Sequence, residues 1–156
     1  MQIGEILSLD GVKALSGSSS KKRMFHDLGD LAADAYGLES DDVVQALLER
    51  EALGPTAVGH GVSLPHARMP GLESVRGLFL RLDQPVDCKA VDRKPVDLIF
   101  ALLAPLDAGA EHLKALALVS RTLRNADVRE KLRARGNRDH STLHSILTEA
   151  QAIKAA

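Results

Sequence analysis

One histidine in this chain, His66, combines a chemically useful side chain with a constrained backbone. It follows Pro65 in a stretch, Gly54 to Arg68, that contains two prolines, three glycines and two histidines. A proline pushes the preceding residue toward an extended conformation, and glycines adopt torsions that other residues avoid. The stretch therefore predicts a short strand that ends at Leu64 and presents His66 just past the strand tip. A neutral imidazole there could be a nucleophile, a base or a ligand. The alternative is a histidine that only caps a loop by hydrogen bonding.

A second histidine, His112, is predicted in the first turn of a helix that runs from about Ala110 to Arg124. The free backbone N–H groups and the dipole at a helix start favour an anion and disfavour imidazolium. A neutral His112 could donate an N–H to a phosphate or a carboxylate. The alternative is a half-exposed residue at a helix start, without a role in chemistry.

Two arginines flank the His66 segment. Arg50 is predicted in the last turn of the preceding helix, and a guanidinium can hold two phosphate oxygens at once. A cation at a helix C-terminus also complements the helix dipole, which requires no function. We expect Arg68 to be a solvated surface residue.

Other catalytic arrangements have weaker support. A metal site made of His60, His66 and His112 lacks the short paired spacing of metal ligands. A nucleophilic Ser63 served by His66 lacks the Gly-x-Ser-x-Gly elbow that such a serine needs. The single cysteine, Cys88, is expected to be a passive packing residue.

Composition excludes several classes of protein. The formal net charge of −1, the pI near 6.6 and the aromatic content of 3% argue against a nucleic-acid-binding surface. One cysteine excludes an internal disulfide framework and fits a reducing compartment. There is no apolar run of the roughly 20 residues that span a bilayer, and the N-terminus does not resemble a signal peptide. We expect a cytoplasmic protein that does not insert into the membrane.

Hydrophobic periodicity predicts the elements that must position these side chains. One helix starts after Ser20 and is closed by Gly37, and a second runs from Ser40 to the Gly54-Pro55 pair. The expected strands are Ala57–Leu64, Ser74–Leu82, a short edge strand Pro85–Val91, and a central strand Val96–Ala104 that is covered on both faces. After the Ala110–Arg124 helix, a short helix capped by Asp127 ends at Gly136. The last helix starts near Ser141, with Leu143, Ile146, Leu147, Ala150 and Ile153 facing inward.

These elements predict an α/β fold: a single domain over residues 1–156, with a mixed parallel/antiparallel central sheet of about five strands flanked by helices. A chain of 156 residues is an ordinary length for one domain with one core. The N-terminal segment, residues 1–20, is expected to pack on this core.

Three blocks of the sequence, in order, resemble one protein family. They are residues 50–68, with the Leu64-Pro65-His66-Ala67 motif, residues 94–105 (KPVDLIFALLAP) and residues 111–120 (EHLKALALVS). The resemblance is to enzyme IIA proteins of the fructose/mannitol class in the bacterial phosphoenolpyruvate-dependent phosphotransferase system. The N-terminal stretch, from Ile6-Leu7 to Ser20-Lys21-Lys22-Arg23, is similar to the nitrogen-regulatory branch of that family.

The resemblance implies roles for three residues. His66 would accept a phosphoryl group as tele-phosphohistidine, His112 would stabilise the phosphate, and Arg50 would contribute positive charge. The family needs neither a cofactor nor a metal for this step. Three positions depart from the family pattern: Ser63 where alanine is usual, Ala67 where glycine is commonest, and Pro55 in place of threonine or serine. All three are small or turn-compatible, so we expect altered exposure or hydrogen bonding at the site rather than its loss.

The resemblance also implies partners. In the nitrogen-type interpretation, an HPr-like phosphocarrier protein (nitrogen-type NPr or HPr) phosphorylates the chain. Its phosphorylation state then controls regulatory targets, such as potassium-transport or sensor-kinase systems. In the sugar-type alternative, a fructose/mannitol-type EIIA passes phosphate to the EIIB domain of a membrane permease. The absence of a fused carrier or permease segment favours the nitrogen type. A third interpretation is a non-catalytic binding module of the same fold.

Overall fold

The computed structural model of the chain describes residues 1–155, with side chains described as far as Glu149. The predicted inward-facing side chains of Ala150 and Ile153, and residue 156 of the predicted domain, lie outside this description. The helices are α1 (Ile3–Ile6), α2 (Lys21–Tyr36), α3 (Ser40–Glu51), α4 (Ala110–Arg124), α5 (Ala126–Arg133) and α6 (His140–Ala155). The strands are β1 (Val12–Gly17), β2 (Ala57–Gly59), β3 (Val62–Ser63), β4 (His66–Arg68), β5 (Arg76–Val86) and β6 (Val96–Ala104).

The strands form one mixed sheet in the order β1-β5-β6-β3-β2, and β4 pairs with β6 beyond β3. The pairs β1–β5, β3–β6 and β4–β6 are parallel, whereas β5–β6 and β2–β3 are antiparallel. The predicted α/β fold with a mixed sheet is confirmed, with six strands where about five were expected. None of the helices within residues 1–155 is long and apolar enough to cross a membrane.

The central strand β6 is buried on both faces, as its continuous apolar run predicts. Alternate side chains along a strand point to opposite faces. Leu98, Phe100 and Leu102 therefore join one core cluster, with side chains from α1, α4, α5 and α6. Ile99 and Leu103 join a second cluster, with side chains from α2 and α3. The N-terminal segment contributes to the first cluster, in which Ile3, Ile6 and Leu7 are buried.

The helix boundaries follow local capping chemistry. The Ser20 hydroxyl accepts a hydrogen bond from the Arg23 N–H, and Gly37 closes α2 in the left-handed conformation with φ 67°. Both were predicted. The predicted cap of the next-to-last helix, Asp127, is wrong, because Asn125 accepts from the backbone N–H groups of residues 127 and 128. That helix also ends at Arg133, before Gly136.

Outside the His66 segment, two strand predictions were wrong. Strand β1 was not predicted, since its half-buried residues lack a clear two-residue alternation. The predicted edge strand Pro85–Val91 does not form: Pro85 and Val86 are the last residues of β5, and residues 87–91 lie outside any strand. A register shift between Arg81 and Val86 in the pairing with β6 leaves Pro85 outside the regular ladder, where its missing N–H costs nothing.

A buried arginine joins the sheet to the end of α5. Arg81 on β5 is only 5% exposed, and its Nη1 donates to the carbonyl oxygens of Leu132, Ala134 and Asn137 at 2.9, 2.7 and 3.2 Å. These carbonyls belong to the last turn of α5 and the loop after it, where helical partners are missing. The Arg81 guanidinium therefore supplies the hydrogen bonds that end this helix.

Candidate active site

The segment before His66 forms a hairpin followed by a separate strand. Strands β2 and β3 pair through a turn at His60 and Gly61, both with positive φ. The chain then leaves the sheet at Leu64 and re-enters it at His66, the first residue of β4, opposite Leu102. The prediction that His66 lies just past a strand tip is therefore corrected: it opens a strand bound to β6. Pro65 has no N–H to donate, but its carbonyl accepts from the Leu102 N–H at 2.9 Å.

The two-residue period of β4 decides which side chains reach α4. His66 and Arg68 lie opposite Leu102 and Ala104, which belong to the core cluster on the α4 face. Ala67 lies between them and is buried in the other cluster, on the α3 face. His66 and Arg68 therefore project to the same side of the sheet as α4.

His66 and His112 lie side by side. His112 is the third residue of α4, and the centroids of the two imidazole rings are 5.5 Å apart, with the ring planes at 70°. The His112 residue is 7% exposed, whereas His66 is half-buried. The structure thus brings together the two histidines that the sequence predicts in one site.

The hydrogen bond made by His66 fixes its tautomer. Its Nδ1 lies 2.9 Å from the carbonyl oxygen of Leu64. A carbonyl only accepts, so Nδ1 carries the proton and Nε2 keeps its lone pair. The Leu64 peptide is itself held in place, because its N–H donates to the Thr56 carbonyl at 3.0 Å. In the neutral ring, the lone pair is therefore on Nε2, where it could act as a nucleophile or a base.

In His112 the ring proton lies on the other nitrogen. Its Nδ1 accepts from the Nε–H of Arg68 at 3.4 Å, so the proton of the neutral ring lies on Nε2. That Nε2 is buried and has no hydrogen-bond partner among the described residues. Burial first, and then the nearby His66 and Arg68, lower the pKa of His112, which keeps the ring neutral at pH 7. His112, whose ring lies beside that of His66, thus holds an unsatisfied N–H donor.

Arg50 is not joined to the histidine pair. Its Nη1 donates to the carbonyl oxygen of Gly54 at 3.0 Å, in the loop that follows α3. Within residues 1–155, no hydrogen bond or ion pair links Arg50 to either histidine. The arginine that does reach the pair is Arg68, for which we expected only solvation. A strand prediction for the residues after Pro65 would have revealed this role, because the two-residue period of a strand places residues 66 and 68 on one face.

The structure does not bring together the residues of the two alternative sites, the Ser63 nucleophile and the three-histidine metal site. Ser63 is 1% exposed and lies opposite Ile99, on the α2 and α3 face of the sheet, where its hydroxyl is 3.4 Å from that of Thr56. It therefore faces away from His66. His60 lies in the hairpin turn beside the start of β6, whereas His66 pairs near the end of that strand. In the described part of the chain, no three histidine, cysteine or acidic side chains are grouped closely enough to hold a metal ion.

Comparisons with known proteins agree with this architecture. The family described as the phosphoenolpyruvate-dependent sugar phosphotransferase system, EIIA 2, matches residues 5–150. A nitrogen regulatory protein of Bradyrhizobium diazoefficiens is 44% identical over 155 residues, which are 99% of this chain and 100% of that protein. A fructose-specific EIIA component of the phosphotransferase system from Haloferax volcanii is 37% identical over 131 residues, 83% of this chain and 85% of that protein.

The solved structures include a similar protein. The crystal structure of the nitrogen regulatory protein IIA-Ntr from Neisseria meningitidis superposes with a TM-score of 0.84 at 39% identity. The match covers 94% of this chain and 99% of that one. Fold, length and sequence therefore agree, and the chain belongs to the EIIA type 2 family of the phosphoenolpyruvate-dependent phosphotransferase system, among its nitrogen regulatory members.

Proposed function

We propose that this chain is a phosphohistidine carrier of the nitrogen-type phosphotransferase system. It accepts a phosphoryl group on His66 from an HPr-like carrier protein and regulates partner proteins through its phosphorylation state. The observation that carries the proposal is the complementary pair of imidazoles: a free Nε2 lone pair on His66 beside a buried, unpartnered Nε2–H on His112.

The hydrogen bond from His66 to Leu64 supports attack through Nε2. The N–P bond of the donor phosphohistidine breaks as a new N–P bond forms at His66 Nε2. The donor ring keeps the electron pair of the broken bond, and the proton on His66 Nδ1 stays where it is. The His66 ring gains positive charge as the bond forms, and the Leu64 carbonyl, 2.9 Å from Nδ1, stabilises that charge.

The environment of His112 supports a role in holding the transferred group. A buried N–H without a partner costs about 1–3 kcal/mol, which a phosphoryl oxygen on His66 would recover. Because the ring is already held in place by α4, little reorganisation accompanies the transfer. The first turn of α4, where no side chain caps the backbone N–H groups, adds a favourable field for the anion. Arg50 would contribute its positive charge from the end of α3.

Exposed apolar side chains near the site support transient contact with a carrier protein. Leu106 and Leu113 are 60% and 67% exposed, and they lie in the loop before α4 and in its first turn. Leu113 directly follows His112 in the sequence. A shallow apolar rim of this kind suits a partner that binds, transfers and leaves. The nitrogen regulatory names of the relatives favour an HPr-like donor of the nitrogen type and a regulatory role. The regulatory targets that we propose are potassium-transport or sensor-kinase systems, as the family resemblance implies.

The proposal is tested by incubating the protein with phosphoenolpyruvate, enzyme I and a phosphocarrier protein, and measuring intact mass. We expect an acid-labile phosphoryl group on the wild type and none on His66→Ala. His60→Ala is the matched control, since it removes an exposed histidine from the same segment. Circular dichroism checks that both variants fold. Phosphorylation of His66→Ala would refute the site, and an unphosphorylated wild type would favour a non-catalytic binding module.

A sugar-type role is the second candidate, favoured by the fructose-specific relative from Haloferax volcanii. The same assay with nitrogen-type and sugar-type carriers in parallel separates the two. Faster transfer from the nitrogen-type carrier supports the proposal. Faster transfer from the sugar-type carrier, with onward transfer to an isolated EIIB domain, would replace it.

A further inference from the structure

We propose that Arg68 is a positioning residue for the transfer: it holds His112 in the tautomer whose Nε2–H faces the phosphoryl group on His66. This inference rests on the proposed function, and it goes further by assigning a role to a side chain that the sequence analysis treated as solvated. Arg68 acts through His112, so it is a positioning residue rather than a catalytic one.

The argument begins with the placement of Arg68 on β4. Residues 66 and 68 share one face of the strand, because they pair with Leu102 and Ala104 of β6. The backbone of β4 is tied to the most buried strand of the sheet, so the stem of Arg68 starts from a fixed point. The guanidinium then reaches the start of α4 and meets His112.

The contact itself determines the tautomer. Arginine has only donors, so the Nδ1 of His112 must be the acceptor in the hydrogen bond from Arg68 Nε. The ring proton is thereby confined to Nε2, the buried atom without a partner among the described residues. The donor–acceptor distance of 3.4 Å is long, and hydrogen bonds at catalytic sites commonly tighten only when the reacting group is bound.

The other N–H groups of the Arg68 guanidinium have no partner among the described residues. Among the side chains of residues 1–149 and the described backbone, it makes no hydrogen bond or ion pair other than the one to His112, and Arg68 is exposed. A guanidinium has five N–H donors in total, so most of them remain available to solvent or to an anion. Arg50 differs, because its guanidinium is bound to the Gly54 carbonyl. Arg68 is therefore the cation that already faces the histidine pair.

The first experiment measures the tautomer without any phosphoryl transfer. Long-range ¹H–¹⁵N spectra of wild type should show the neutral His112 ring protonated at Nε2. In Arg68→Ala the Nδ1–H form should become substantially populated, because the donor to Nδ1 is gone and the buried Nε2–H has no partner. A wild-type ring protonated at Nδ1, or an unchanged tautomer in Arg68→Ala, would overturn the inference.

The second experiment measures the rate of transfer from the phosphocarrier to His66. Arg68→Ala should be about tenfold slower, the factor expected for one hydrogen bond to a charged group, yet still reach full phosphorylation. Arg68→Lys should restore part of the rate, because it keeps a cationic donor without the fixed geometry of the guanidinium. Arg135→Ala is the matched control, because Arg135 is exposed and has no side-chain partner in the described residues. This variant should accept the phosphoryl group at the wild-type rate.

The outcomes separate the two proposals. A wild type that is never phosphorylated refutes the proposed function and leaves the tautomer measurement to test Arg68 alone. A phosphorylated wild type with equal rates in Arg68→Ala refutes the role of Arg68 and leaves His66 in place. Equal melting temperatures of the wild type, Arg68→Ala and Arg135→Ala exclude a general loss of structure. If Arg68→Ala melts lower, Arg68→Gln, which keeps the side-chain length without the charge, provides the comparison.

Discussion

The turn of the β2–β3 hairpin allows a quantitative test of how the His66 segment is anchored. Gly61 has φ 76°, and a Cβ at this position would lie 2.5 Å from Nη2 of Arg133 and 2.8 Å from Oδ1 of Asp97. Those two groups form an ion pair at 2.8 Å, and the same Nη2 donates to the carbonyl oxygen of His60. Gly61→Ala must therefore displace the guanidinium that holds the turn.

The expected loss has two parts. A non-glycine residue in the left-handed region costs about 1–2 kcal/mol. The half-exposed ion pair with Asp97 and the hydrogen bond to the His60 carbonyl add about 1 kcal/mol each if Arg133 moves away. We therefore expect Gly61→Ala to lower the free energy of unfolding by about 3–4 kcal/mol.

A second glycine in the same chain is the control. Gly37 also has a left-handed torsion, φ 67°, but a Cβ there would meet nothing within 4 Å. Gly37→Ala should therefore lose only the torsional part, about 1–2 kcal/mol. Urea unfolding of both variants, followed by circular dichroism, measures the difference directly. Equal losses in the two variants would show that the Arg133–Asp97 pair does not hold the turn, and the reasoning would fail.

Three further predictions concern His112 and Arg81. His112→Ala should slow transfer to His66 on the order of 100-fold in single-turnover kinetics, because a prepositioned donor is lost, and an unchanged rate would contradict its role. The pKa of His112 is lowered from 6.5 in the folded protein, so the unfolded state binds this proton first as the pH falls. Stability should therefore decline below about pH 6.5, with a flatter urea-midpoint profile in His112→Gln. Arg81→Met should lose at least about 3 kcal/mol of stability, since three hydrogen bonds from a buried guanidinium to carbonyl oxygens are lost, and a loss below 1 kcal/mol in urea unfolding would refute this.

Much of the fold could be predicted because local signals and burial agree. The run of apolar residues in β6 predicts a strand buried on both faces, and Ser20 and Gly37 mark the ends of α2 by side-chain and backbone chemistry that depends only on neighbours. Strand β1 could not be predicted, because what makes it a strand is its parallel pairing with β5, about 65 residues later in the chain. Such pairing leaves little trace in a half-exposed segment.

In the candidate site, too, features with a local sequence signal could be predicted and features that depend on distant pairing could not. The identity of His66 and His112 could be inferred from prolines, glycines and a helix start, which are local features. Their separation of 5.5 Å depends on β4 pairing with β6 and on α4 packing against that face, neither of which has a local signature. Arg68 was missed for this reason. Treating residues 66–68 as a loop leaves the direction of Arg68 undefined, whereas a strand fixes it.

The pairing of the His66 strand with β6 affects how a regulatory target could distinguish the phosphorylated from the unphosphorylated protein. If His66 is phosphorylated as proposed, its backbone has little freedom to move, because its strand is hydrogen-bonded to the buried strand β6. Phosphorylation would then add local negative charge to the surface without changing the backbone conformation. Fields from exposed charges fade over about 8 Å at physiological ionic strength, so a target must touch the site to detect them. Its discrimination between the two states should weaken as salt is added, whereas recognition of an altered backbone would not.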